Sequence, residues 1–174
     1  VSGSPTIHGD RVYVGDESGV LRSIDWHQRT LPFEKAFVKL RFYGWWYGLT
    51  TLENQKGFVW GFSPPGSSPL GTPVATDELI YVPATIGRLY AVDAITGQEV
   101  WSFRTAGGLI SAPSVIGDTV LIGDRRGRLY GLRASTGELM WELRGFTGAI
   151  ASTPVVAGKT IYVVTDRGSL VAIR

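Results

Sequence analysis

Four prolines set a register that few folds can satisfy. Pro5, Pro73, Pro113 and Pro154 are each followed fourteen residues later by glycine (Gly19, Gly87, Gly127, Gly168) and sixteen residues later by leucine (Leu21, Leu89, Leu129, Leu170). Composition alone does not produce such a register. A spacing of about 40 residues marks a repeat architecture, in which each unit buries its apolar face only against its neighbours.

Each repeat reads as a string of short strands. An apolar segment follows the proline, as in Ser114-Val115-Ile116 or Val155-Val156-Ala157, and then a turn at Gly9-Asp10, Asp77-Glu78, Gly117-Asp118 or Gly158-Lys159. A second run starts seven residues after each proline: Val12-Tyr13-Val14, Ile80-Tyr81-Val82, Val120-Leu121-Ile122 and Ile161-Tyr162-Val163. β-Branched and aromatic runs between such turns are strand and hairpin signals. The glycine at the fourteenth position falls in a second hairpin, where a positive φ suits it. The third strand begins at Leu21, Leu89, Leu129 and Leu170, and a fourth carries Val100-Trp101-Ser102-Phe103 or Met140-Trp141-Glu142-Leu143. Four antiparallel strands per repeat describe one blade of a β-propeller. The expected fold is therefore all-β, with about four blades forming part of a ring.

The tryptophans keep the same phase. Trp101 and Trp141 each lie 28 residues after their proline, whereas Trp60 lies 55 after Pro5, so the first repeat carries 27 extra residues. The repeats are placed near residues 1–26 plus 57–62, 71–103, 111–143 and 152–174, with the insertion at about 27–56. Trp60, Trp101 and Trp141 are expected to fill the wedge between neighbouring sheets, since a large flat ring suits that gap.

The segment Ala91-Val92-Asp93-Ala94-Ile95-Thr96-Gly97-Gln98-Glu99-Val100-Trp101 resembles the tryptophan-docking repeat of quinoprotein-type (pyrroloquinoline-quinone-like) propellers. Gly131 to Trp141 matches it with Arg133 in place of the Asp, and Gly-x-Leu-Tyr precedes both copies at Gly87–Tyr90 and Gly127–Tyr130. The first repeat departs, with Arg22 for the Tyr and no Thr-Gly before Trp60, and the last stops before its Thr-Gly-Trp segment. The resemblance implies one of several classes. Dehydrogenases of the family hold the quinone and a calcium ion in eight blades, often beside a vicinal disulfide. Other members bind no cofactor and act as docking scaffolds, like the lipoprotein that assists outer-membrane β-barrel assembly. Fold alone does not choose between them.

The residues favour the second class. A chain of 174 residues has material for fewer than four complete blades, and it has no cysteine. A calcium site needs converging oxygen ligands, whereas Asp16-Glu17, Asp124 and Asp166 fall on hairpins where surface turn chemistry accounts for them. His8, read in a turn between the first two strands, and His27, which opens the insertion, have no Ser, Cys or carboxylate at a spacing that suggests an activated nucleophile. No phosphate loop occurs, because the glycines stand singly in hairpins. The expectation is a non-catalytic protein-interaction scaffold without cofactor or metal. The alternative is a fragment of a quinone-dependent dehydrogenase whose site is completed by other blades.

Seventeen Lys and Arg against 15 acids leave a net charge of only +2. Arg88, Arg125, Arg126, Arg128 and Arg167 nevertheless gather at the hairpins between second and third strands. Equivalent loops emerge on one face of a propeller, so a local basic arc is expected. It reads as a solvated, salt-bridged rim partly neutralised by Asp124 and Asp166. Nucleic-acid binding would show a larger basic excess with stacking aromatics beside it.

The insertion carries the most unusual chemistry. Val38, Leu40 and Phe42 alternate with Lys39, Arg41 and Tyr43, a strand pattern, and Gly44 and Gly48 bracket Trp45-Trp46-Tyr47. The apolar run is too short to span a bilayer. One reading is an extra hairpin packed on the propeller edge. The other is a partner-binding patch of Arg41, Phe42, Tyr43, Trp45, Trp46 and Tyr47, residue types that dominate interface hot spots. A carbohydrate platform on Trp45, Trp46 and Tyr47 is a third. No signal peptide or membrane span is read, and the start on Ser4-Pro5 of a repeat is expected of a mature or trimmed product. An extracytoplasmic setting is implied only by the resemblance. Because the last repeat lacks its tryptophan strand, the arc is expected to be completed by another polypeptide: a second copy, an adjoining fragment of the same parent protein, or a different protein subunit.

Overall fold

Four antiparallel sheets follow one another along the chain in the computed structural model, which describes residues 3–27, 57–66, 69–109 and 111–174. The first sheet comprises β1 (Thr6–His8), β2 (Arg11–Gly15), β3 (Leu21–Asp25) and β4 (Phe58–Phe62). The second comprises β5 (Val74–Ala75), β6 (Leu79–Ala84), β7 (Arg88–Asp93) and β8 (Glu99–Arg104). The third comprises β9 (Ser114–Ile116), β10 (Thr119–Gly123), β11 (Leu129–Arg133) and β12 (Leu139–Leu143). The fourth has three strands, β13 (Val155–Ala157), β14 (Thr160–Val164) and β15 (Leu170–Ile173). In every sheet the strands lie side by side in chain order. No helix occurs among the described residues.

Short turns fix this meander. Gly19, Gly87, Gly127 and Gly168 close the hairpins between second and third strands at φ from 66° to 91°, a region that side chains with a Cβ rarely adopt. A bulge recurs at one place in each complete sheet, after Ser23, Ala91 and Gly131. Each of these residues is the cross-strand partner of a tryptophan: Trp60, Trp101 and Trp141 respectively. A bulge bends its strand and re-aims the neighbouring side chain. Here it lies beside the residue that joins one sheet to the next.

The core lies between sheets, in slabs. Tyr13, Leu21, Trp60 and Phe62 of the first sheet pack with Ile80, Val82, Tyr90 and Val92 of the second. Tyr81, Leu89 and Trp101 pack in turn with Val120, Ile122, Tyr130 and Leu132 of the third. The last slab is thinner: Leu129, Ile150 and Val163 are its buried members, with Trp141, Leu143 and Val171 half-buried around them. Period-two alternation divides the fourth sheet's faces. Val163 points into that slab, while Tyr162, Val164 and Leu170 are exposed, Leu170 by 67%. Among the described residues no hydrogen bond links the fourth sheet to the first, so the four blades form an open arc.

Candidate functional site

The first and second sheets each dock on the next through one indole. Trp60 Nε1 donates to the Ala94 carbonyl at 3.1 Å, and Trp101 Nε1 donates to the Ala134 carbonyl at 2.9 Å. The ring faces lie on glycines of the following sheet. A Cβ at Gly97 would sit 2.5 Å from Trp60 Cδ2, and one at Gly137 would sit 2.5 Å from Trp101 Cε3, so nothing larger than glycine fits beneath either ring. The Thr-Gly-x-x-x-Trp spacing thus encodes both sides of the joint. Tyr81 adds a second donor to the Ala134 carbonyl at 3.2 Å, and burial, with the charges of Asp118 and Glu78, pushes its phenol up to about 12. Trp141 breaks the series. It is half-buried over Gly131 of its own sheet, and its indole N–H has no acceptor among the described residues.

The hairpin acids differ from the surface turns expected of them. Asp124 is fully buried. Its Oδ1 accepts the Arg126 and Arg128 amides at 2.8 and 3.0 Å, and its Oδ2 accepts the Tyr130 hydroxyl at 2.9 Å. It therefore staples its own hairpin and makes no ion pair with the arginines around it. Asp166 does lie exposed, where it accepts the Ala149 amide at 2.9 Å.

Asp16 holds Asp124's place in the first repeat. Burial alone would raise its pKa, but hydrogen bonds from Ser18 Oγ (2.6 Å), the Val20 amide (2.9 Å) and Arg22 outweigh that and lower the carboxyl from 3.8 to about 2. A depressed folded-state pKa stabilises above the unfolded value and is lost as pH falls through the folded one. The parent chain is thus expected to lose more stability than Asp16→Asn between about pH 4 and about pH 2, read by denaturant titration. Parallel curves would show that this carboxylate stabilises nothing.

The arginine rim is less paired than its sequence suggests. Arg128 bonds Glu142 at 3.1 Å, but Arg125, Arg126 and Arg167 make no ion pair among the described residues. Of the expected salt bridges along the rim, the described residues therefore show one, at Arg128. Arg104, Arg125 and Arg126 line one cleft of about 510 Å³ between the second and third sheets, floored by Thr105, Gly107 and Gly108. The histidines are structural. His8 closes β1 rather than occupying the turn, and its Nε2 meets Asp77 Oδ1 at 2.8 Å, joining the first two sheets; His27 Nε2 meets Asp10 Oδ1 at 3.1 Å.

Arg41, Phe42, Tyr43, Trp45, Trp46 and Tyr47 lie outside the described residues. A calcium–quinone centre finds no support from the side chains described. No three His, Cys, Asp or Glu residues converge among them, and Asp16 and Asp124 are committed to their hairpins. No described helix is long and apolar enough to cross a membrane.

A family model described as outer membrane protein assembly factor BamB matches residues 1–103 and 87–174. Among solved structures, the chain is similar to BamB from Moraxella catarrhalis at a TM-score of 0.72 and 23% identity, covering 98% of this chain and 45% of that one. The computationally designed Ika4 protein gives 0.74 at 13% identity, covering 99% of this chain and 90% of that one. Quinohemoprotein alcohol dehydrogenase from Comamonas testosteroni gives 0.64 at 20% identity, covering 94% of this chain and 28% of that one. These likenesses show the fold. The chain spans less than half the length of the BamB structure it matches. No curated protein matches the sequence.

Proposed function

From a chain that belongs to the family of the outer membrane protein assembly factor BamB, we propose a non-catalytic protein-docking segment of a propeller in a cell-envelope assembly. The fourth sheet carries this reading. Its outward face presents Val155, Tyr162, Val164 and Leu170 to solvent. An exposed apolar sheet face is one that further polypeptide covers, from another part of the parent protein, a subunit or a second copy. The aromatic insertion, with Trp45, Trp46 and Tyr47, belongs to the same proposal as a second partner anchor. The family's name supports an extracytoplasmic setting.

The competing reading, a dehydrogenase fragment, makes a different demand. Equilibrium dialysis of the purified chain against pyrroloquinoline quinone and calcium, coupled to dye reduction with alcohols, is expected to show neither stoichiometric uptake nor turnover. Stoichiometric uptake that depends on calcium would overturn the docking reading in favour of the enzyme.

A further inference from the structure

The third sheet holds two arginines together with one carboxylate. Arg128 Nη1 donates to Glu142 Oε1 at 3.1 Å, and Arg144 donates Nε and Nη2 to the two oxygens of the same group at 2.9 Å each. Such charge-assisted, two-pronged contacts are the stronger kind. The second sheet repeats the frame without the acid. Arg88 stands at Arg128's place in the repeat and Arg104 at Arg144's, but Ser102 stands where Glu142 would be.

The consequence is a pair that no carboxylate bridges among the described residues. Arg88 and Arg104 are cross-strand partners in the β7–β8 ladder, and like charges set opposite each other are destabilising. Ser102 Oγ accepts only a long 3.3 Å bond from Arg88 Nη1. The Arg104 guanidinium has no hydrogen bond or ion pair among the described residues. A recess of about 330 Å³ opens over the pair, lined also by Pro65, Ile86, Tyr90 and Glu99. Glu99 lies at the far end of β8 and pairs with neither arginine among the described residues. Arg104 also lines the cleft that carries Arg125 and Arg126.

We infer that Arg88 and Arg104 receive the carboxylate of an acidic side chain from a polypeptide partner, completing in trans the clamp that Glu142 completes in cis. The carboxylate chemistry comes from the third sheet. The polypeptide source rests on the docking reading above and on Ile86, which lies exposed beside the pair and gives a peptide an apolar contact that a small acid cannot cover.

The test is fluorescence anisotropy of labelled hexaglutamate on the 174-residue chain, with hexaglutamine as the control. Saturable binding of the acidic peptide is expected. It should weaken about tenfold in Arg88→Gln and in Arg104→Gln, the effect of losing one charge-assisted contact. Ser102→Glu supplies the missing acid in cis, so it should abolish binding while its melting temperature stays at or above the parent's. Glu142→Ser unlocks the third sheet's pair and should add a second binding equivalent. Binding unchanged by Ser102→Glu, or equal binding of hexaglutamine, would overturn the inference. Displacement by free glutarate at matched carboxylate concentration would also overturn it, by making the ligand a small diacid. The docking reading fails separately: quinone uptake by a chain that still binds hexaglutamate through Arg88 and Arg104 rejects that reading and retains the clamp.

Discussion

Trp101→Ala is expected to destabilise the chain by about 3–5 kcal/mol, the range for deleting a large buried aromatic. The ring fills the wedge between the second and third sheets, lies on Gly137, and touches Tyr81 with centroids 5.8 Å apart. No neighbour can collapse into the space, because the sheets on both sides are held by their own ladders. The Ala134 carbonyl keeps one donor in Tyr81, so the loss is mainly packing. Trp141→Ala should cost much less, since that ring is only half-buried in the thinner slab beside Val163 and makes no hydrogen bond to the fourth sheet. Urea unfolding of both variants, followed by far-UV circular dichroism, checks the contrast. Equal losses would mean that tryptophans stabilise each sheet from within rather than joining sheets.

The contrast bears on what the sequence revealed. The Pro-Gly-Leu register was readable because a tight hairpin needs a residue that tolerates positive φ, and Gly19, Gly87, Gly127 and Gly168 meet that need. The sheet-to-sheet joints were readable for a related reason. A ring that leaves no room for a Cβ forces glycine at positions 97 and 137, four residues before the next tryptophan. Repetition turned both local demands into visible spacing.

Side-chain pairing was far less legible. An aspartate beside a glycine turn looks like surface chemistry whether it faces water or folds inward. The available signal was a donor six residues on, Arg22 after Asp16 and Tyr130 after Asp124, reaching back across the hairpin. The arginine rim posed the same difficulty. Arg88 and Arg128 occupy one position in the repeat, yet one faces Ser102 and the other Glu142, a difference in a residue of the neighbouring strand, fourteen positions on, rather than in the loop that holds the arginines. The insertion's aromatics gave no spacing to test, having no counterpart in the other repeats.

Asp124→Ala is expected to cost about 3 kcal/mol or more, the penalty for stranding several buried donors at once. Two backbone amides and the Tyr130 hydroxyl would lose their acceptor in a site that excludes solvent. The second sheet shows why alanine is tolerated at the equivalent place there and not here. Its ladder runs one pair further, with Ala84 facing Arg88 within the sheet, whereas β10 ends at Gly123 and the Arg128 amide turns to the carboxylate. Asp124→Asn should fall between, because its one remaining carbonyl oxygen can hold the amides while its NH₂ faces a phenol that must now accept. Denaturant midpoints for the three chains measure the series. A loss of less than about 1 kcal/mol for the alanine variant would mean that water enters and replaces the carboxylate. The staple would then be dispensable, and the hairpin's shape would rest on Gly127 and the ladder alone.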